Sequence, residues 1–106
     1  MENKKKEAFK ATDEQITEWK KKYGEDKVHE LTVADKRAYL RTPDRNVLGL
    51  ASVAGKDNPM AYNETILDNC WLAGDEEIRT VDSYFLGAGS ALAEIVEMKE
   101  ATIKKL

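Results

Sequence analysis

Cysteine and histidine occur once each in these 106 residues, as Cys70 and His29. A single thiol cannot close an internal disulfide, so the fold must rest on burial, and the chain suits a reducing compartment. A single imidazole in a strand-like stretch, with no second ligand at chelating spacing, assembles no metal site. No run of apolar residues approaches the roughly 18 that cross a bilayer. The opening 1–11 is charged with no apolar segment behind it, which argues against a secretion signal. A basic surplus is also missing. The 17 Lys and Arg stand against 20 Asp and Glu, a net charge of −3, which disfavours a nucleic-acid duplex as partner. Nor is there an internal repeat or a low-complexity linker. These absences point to a cytoplasmic protein with no membrane partner.

What is present is 42% apolar and 35% charged sequence, the balance of a heavily charged globular domain. The length suits one domain, and a chain of this size buries roughly 60–70% of its unfolded surface, enough to fold without staples. Residues 1–11, rich in Lys and Glu, are expected to be a flexible N-terminal tail, and 12–106 the single domain. Both prolines stand at helix starts. Pro59 follows the capping residue Asn58 and opens a helix expected over 58–74. In it Tyr62, Ile66, Leu67, Cys70 and Trp71 recur at spacings of three and four on one apolar face. Asn63, Glu64, Asp68 and Asn69 fall away from that face, and Gly74 is placed as a left-handed exit. Thr42-Pro43 opens another helix in the same way. It runs to about Ala54, with Val47, Leu50, Ala51 and Ala54 inward and Gly55 closing it. Gly49 in its middle costs about 1 kcal/mol relative to alanine, which predicts a close approach by another element there.

Thr12-Asp13-Glu14-Gln15 has the form of a capping box. Ile16, Trp19 and Tyr23 follow as a narrow apolar stripe, and Lys20, Lys21 and Lys22 complement the negative end of the helix dipole before Gly24. From Lys27 the period changes to two. His29, Leu31 and Val33 share one face, and across Ala34-Asp35 so do Ala38 and Leu40, opposite Arg37, Tyr39 and Arg41. This predicts a β-hairpin, which must pack on helices to be stable. A last helix from Asp82 to the C-terminus is expected to carry Phe85, Ala88, Leu92, Ile95, Val96, Lys99 and Ile103 on one side. The class is α+β, mostly α: a short β-hairpin packed on about four helices in a single domain.

Convergent catalytic groups are scarce. Cys70 lies on an apolar helix face beside Trp71 and reads as a small hydrophobe. Gly87-Ala88-Gly89-Ser90 lacks the lysine and preceding strand of a phosphate loop, so its glycines read as close-packing positions. Asp75, Glu76 and Glu77 do not follow the alternating oxygens of a calcium loop and read as a solvated turn. No catalytic residue, metal ligand or cofactor is expected. Arg37 and Arg41 share a strand face with Tyr39, and Arg45 follows in the next helix. These residue types together suit a carboxylate or phosphate, against the alternative that they pair with the domain's own acids. The partner surface expected from the sequence is Tyr39, Arg41 and Arg45.

The order and spacing of several short matches resemble a known family. They are Ala38-Tyr39-Leu40-Arg41-Thr42-Pro43-Asp44-Arg45, Ala51-Ser52 with Gly55-Lys56, Asn58-Pro59, Asn63-Glu64, Asn69-Cys70-Trp71, Gly74-Asp75-Glu76-Glu77-Ile78 and the closing Lys99-Glu100-Ala101 with Ile103-Lys104-Lys105-Leu106. The family resembled is that of the small tail assembly chaperones of long-tailed phages and prophages. The resemblance implies a non-enzymatic role in the bacterial host cytoplasm: binding the long apolar tape measure protein, aiding assembly of tail-tube subunits around it, and leaving before the virion is mature. It carries no catalytic residues. Self-association into a homo-oligomer is compatible with the amphipathic helices. The alternative is a small phage or bacterial regulator that contacts nucleic acid through Arg37, Tyr39, Arg41 and Arg45.

Overall fold

The computed structural model describes residues 7–106. Its frame is a three-stranded antiparallel sheet in the order β1-β2-β3, formed by Val28–Val33, Lys36–Arg41 and Trp71–Gly74. Five α-helices occur among the described residues: α1 (Asp13–Tyr23), α2 (Arg45–Ala54), α3 (Pro59–Cys70), α4 (Glu77–Thr80) and α5 (Asp82–Ala91), the last continued by a 3-10 turn, Leu92–Ile95. The architecture is α+β and mostly helical, as the sequence pattern predicts.

The hairpin forms in the expected place, with Val28 opposite Arg41 and Val33 opposite Lys36. Its two-residue turn holds Ala34 at φ 53°, a left-handed conformation that a Cβ disfavours. Strand alternation then sorts the side chains. Leu31, Ala38 and Leu40 turn inward and join Val47, Ala51, Ile66, Leu67, Cys70, Ile78, Ala88 and Leu92 in one core cluster. Leu40, Ile66, Leu67 and Ile78 are fully buried, and each such side chain contributes about 1.5–3 kcal/mol of transfer free energy. The opposite sheet face bears Tyr39, and α1 lies over it, with Trp19 5.6 Å and Phe9 6.0 Å from the Tyr39 ring. The sheet is thus a middle layer with helices on both sides.

The capping box holds α1 as expected: Gln15 N–H donates to Thr12 Oγ1 at 3.1 Å, and Thr12 N–H to Gln15 Oε1 at 2.9 Å. Residues 1–6 of the expected tail lie outside the described residues. Residues 9–11 are tied down rather than loose. Phe9 N–H donates to Asp75 Oδ2 at 2.9 Å, Ala11 N–H to the Tyr39 hydroxyl at 3.3 Å, and Ala11 is buried.

Four expectations are corrected. The helix expected over 58–74 stops at Cys70, and the chain turns into β3, where Ala38 pairs with Gly74 and Leu40 with Trp71. The open edge of β2 decides this, because pairing satisfies backbone groups that a longer helix would leave the sheet without. Gly74 is accordingly no helix exit. It has φ 157°, and a Cβ there would lie 2.5 Å from the Cα of Ala38. The second helix begins at Arg45, capped by Asp44, which accepts from Val47 N–H at 2.9 Å. Around Gly49 nothing lies within 4 Å of a built Cβ, so no element approaches it. The last helix ends at Ala91, the 3-10 turn at Ile95, and residues 96–106 carry no helix, with Ile103 fully exposed. Ile95 is the last side chain packed on the core, and beyond it there is no apolar body for a stripe to cover. The glycines of α5 do serve close packing: a Cβ on Gly87 would meet Val33 Cγ1 at 3.1 Å, and one on Gly89 would meet Asn63 Nδ2 at 2.9 Å.

Candidate functional site

The open end of the hairpin gathers two of the three arginines singled out above, Arg41 and Arg45. Gly24, at φ 128°, lets the chain turn sharply out of α1, and Lys27 N–H closes that turn on Gly24 O at 3.1 Å. Thr42 N–H donates to Lys27 O at 2.9 Å, extending the ladder past the last strand residue. The end of α1, the start of β1, the end of β2 and the start of α2 therefore meet around a cleft of about 500 Å³. Lys22, Lys27, Arg41 and Arg45 line it with two acids, Asp44 and Glu97, and with the apolar surfaces of Tyr23, Pro43 and Leu48.

The geometry inside is specific. The Arg41 guanidinium sits 5.6 Å from the Tyr23 ring centre, a cation–π distance. Its Nη1 lies 3.8 Å from Asp44 Oδ2. Lys22 Nζ covers the same ring at 5.2 Å. Arg45, in the first turn of α2, is exposed and makes no ion pair among the described residues. Glu97 comes from the segment after the 3-10 turn and pairs with Lys27, and this hydrogen bond raises the Lys27 pKa above its usual value. His29 Nε2 is 2.7 Å from Thr42 Oγ1, and burial, then the charge of Lys27, lowers its pKa below 6.5.

Of the expected surface residues, Arg41 and Arg45 come together here and Tyr39 does not. Tyr39 is only 2% exposed, sealed between Phe9 and Trp19, its hydroxyl accepting from Ala11 N–H and donating to Glu30 Oε1 at 3.4 Å. It is corrected from partner surface to core of the outer layer, and Tyr23 supplies the aromatic surface instead. The apolar stripe of Ile16, Trp19 and Tyr23 held that signal, since its last member reaches the hairpin mouth. Arg37 is also tied internally. Its Nη1 donates to Phe9 O at 3.1 Å, and its buried Nε lies 3.4 Å from Glu30 Oε2 without hydrogen-bond geometry.

A second concave surface lies where α3 passes α5. Met60, Phe85 and Leu86 line it together with Glu64, Arg79 and Asp82, over about 320 Å³. Met60 and Leu86 are about half exposed, at 48% and 56%. Sequence reasoning placed Phe85 inward but gave no sign that Met60 and Leu86 would stand side by side. Arg79 is held there by Glu76 at 2.6 Å and stacks on Trp71 at 4.1 Å.

The remaining reactive types make contacts within the fold. Cys70 is wholly buried, and desolvation pushes its thiol up to about 11. Asp75 Oδ2 accepts from the backbone N–H of Phe9 and Arg37, Glu76 pairs with Arg79, and Glu77 with Lys36 at 3.8 Å, so the three acids serve different partners. Ser90 Oγ donates to Gly87 O within α5. Among the described residues no group of three His, Cys, Asp or Glu side chains is placed to hold a metal ion, and no helix is long and apolar enough to cross a membrane. Comparison of the chain with protein-family models, with curated proteins and with solved structures finds no match.

Proposed function

We propose that this chain is a binding module without catalytic activity, a tail assembly chaperone of a phage or prophage that acts in the bacterial cytoplasm and does not remain in the finished particle. Its client is the long, apolar, helical tape measure protein, which it keeps soluble while tail-tube subunits assemble. The observation that carries this reading is the groove of Met60, Phe85 and Leu86 between α3 and α5. A groove lined by three apolar and three charged side chains suits an amphipathic helix, whose side chains three and four apart would fill it. The family resemblance supplies the identity of the client. The burial of Tyr39 and the internal ties of Arg37 weigh against nucleic-acid contact through the hairpin face.

Co-expression with the tape measure protein encoded beside it tests the proposal. The client is expected to stay soluble and to co-purify with the wild-type chain, and to precipitate with a Met60→Glu, Leu86→Glu variant that keeps the wild-type circular dichroism. A client that is insoluble in both cases, or soluble alone, refutes the reading.

A further inference from the structure

The cleft at the hairpin mouth does not belong to the groove between α3 and α5, and its chemistry differs. Its charged lining is four cations against two acids, on a chain whose net charge is −3. Positive charge is therefore concentrated locally against the sign of the whole molecule. Within it, the chain's own Glu97 is already seated: it lies on a segment without secondary structure and hands its carboxylate to Lys27. The cleft thus displays what it accepts, a carboxylate carried on extended backbone.

We infer that this cleft is a binding site for an extended acidic segment of a partner protein, and that Glu97 of the chain occupies it in the free state and gives way when the partner binds. Several features favour a peptide carboxylate over a nucleic-acid phosphate. Arg41 already faces Asp44 at 3.8 Å, which leaves it suited to a single negative charge rather than to a run of phosphates. Pro43 and Leu48 give the cleft an apolar wall against which a peptide stem can lie. The net negative charge of the chain repels a long polyanion at distances beyond the cleft. Arg45, which makes no ion pair among the described residues, stands exposed and would take the incoming group first. Lys27 becomes available only as Glu97 leaves. The site is independent of the proposed chaperone role, since any acidic extended segment would satisfy it.

Calorimetric titration of the full chain with an extended ten-residue peptide of glycine, serine and leucine carrying two glutamates tests this at low salt. Glu97→Gln removes the resident carboxylate without loss of side-chain volume. It is expected to tighten binding about two- to fivefold, the range that a solvent-exposed ion pair holds back. Arg45→Glu places an acid in the first turn of a helix, where folding tolerates it. It is expected to weaken binding of the acidic peptide about tenfold in either background. Unchanged affinity in Glu97→Gln overturns the competition. Equal binding by Arg45→Glu and wild type, or no binding to wild type and to Glu97→Gln alike, overturns the site. A single-stranded oligo-dT of twenty nucleotides, run in parallel, is expected to bind more weakly than the peptide. If it binds more tightly and loses affinity in Arg45→Glu, the cleft is a nucleic-acid site and the inference fails.

Discussion

Replacing Gly74 by alanine should damage this fold more than its position at the end of a short edge strand suggests. Gly74 pairs with Ala38 at φ 157°, a region that residues with a Cβ enter at a cost of about 1–3 kcal/mol. The added methyl would also lie 2.5 Å from both the Cα and the Cβ of Ala38 and 2.8 Å from Arg37 O. Backbone atoms of a central strand cannot swing aside as the end of a lysine can. Overpacking of this kind costs typically about 1–3 kcal/mol more. Together the loss comes to about 2–6 kcal/mol, a large share of the roughly 5–15 kcal/mol that stabilises a domain of this size. At about 4–8 °C per kcal/mol, the melting temperature should fall by about 8–48 °C. Urea titration followed by far-ultraviolet circular dichroism reads the free energy. Trp71, at the start of the same strand and under the Arg79 guanidinium, reports on β3 by fluorescence. A loss below about 1 kcal/mol would mean that β3 yields freely, and the close-approach argument would be wrong.

Gly49→Ala is the counterpart, because it sits mid-helix with open space around it; thermal melts should show a gain of about 0.5–1 kcal/mol. Cys70 should resist Ellman's reagent at pH 8 in the folded protein, since burial holds its thiol up to about 11, and should react at once in concentrated urea. His29 titrates below its ordinary value because burial and Lys27 disfavour its charged form. The unfolded chain therefore binds this proton first as pH falls through about 6.5. Stability should decline below that pH, and urea midpoints of His29→Gln should show a shallower decline over the same range.

The elements written in local chemistry were readable before the structure: the capping box at Thr12 and Gln15, the Asn58-Pro59 start of α3, and the alternation of the hairpin. The misread stretches are those whose state is decided elsewhere in the molecule. Trp71 keeps the helical spacing of Ile66, Leu67 and Cys70, so nothing local ends the helix. The open edge of β2, more than thirty residues earlier, ends it. Past Ile95 the spacing of apolar residues continues, but no core remains for Lys99 and Ile103 to cover. The cationic cleft was half legible. Arg41 and Arg45 were in view because they lie close in sequence. Alternation put Tyr39 on the right face of its strand but could not tell that Phe9 and Trp19 would close over it. That same closure brings Tyr23 and Lys22 to the cleft, and Glu97 arrives from the far end of the chain.

Asp75 lies 66 residues after Phe9, and its carboxylate accepts from both Phe9 and Arg37. On the ribosome these partners emerge long apart. The nascent hairpin is complete once Arg41 is out, yet one side of β2 stays unpaired until 71–74 follow, and a bare strand edge invites pairing with other chains. Synonymous codons that slow translation across 42–70 would prolong that interval and lower soluble yield, while the finished protein would melt at an unchanged temperature.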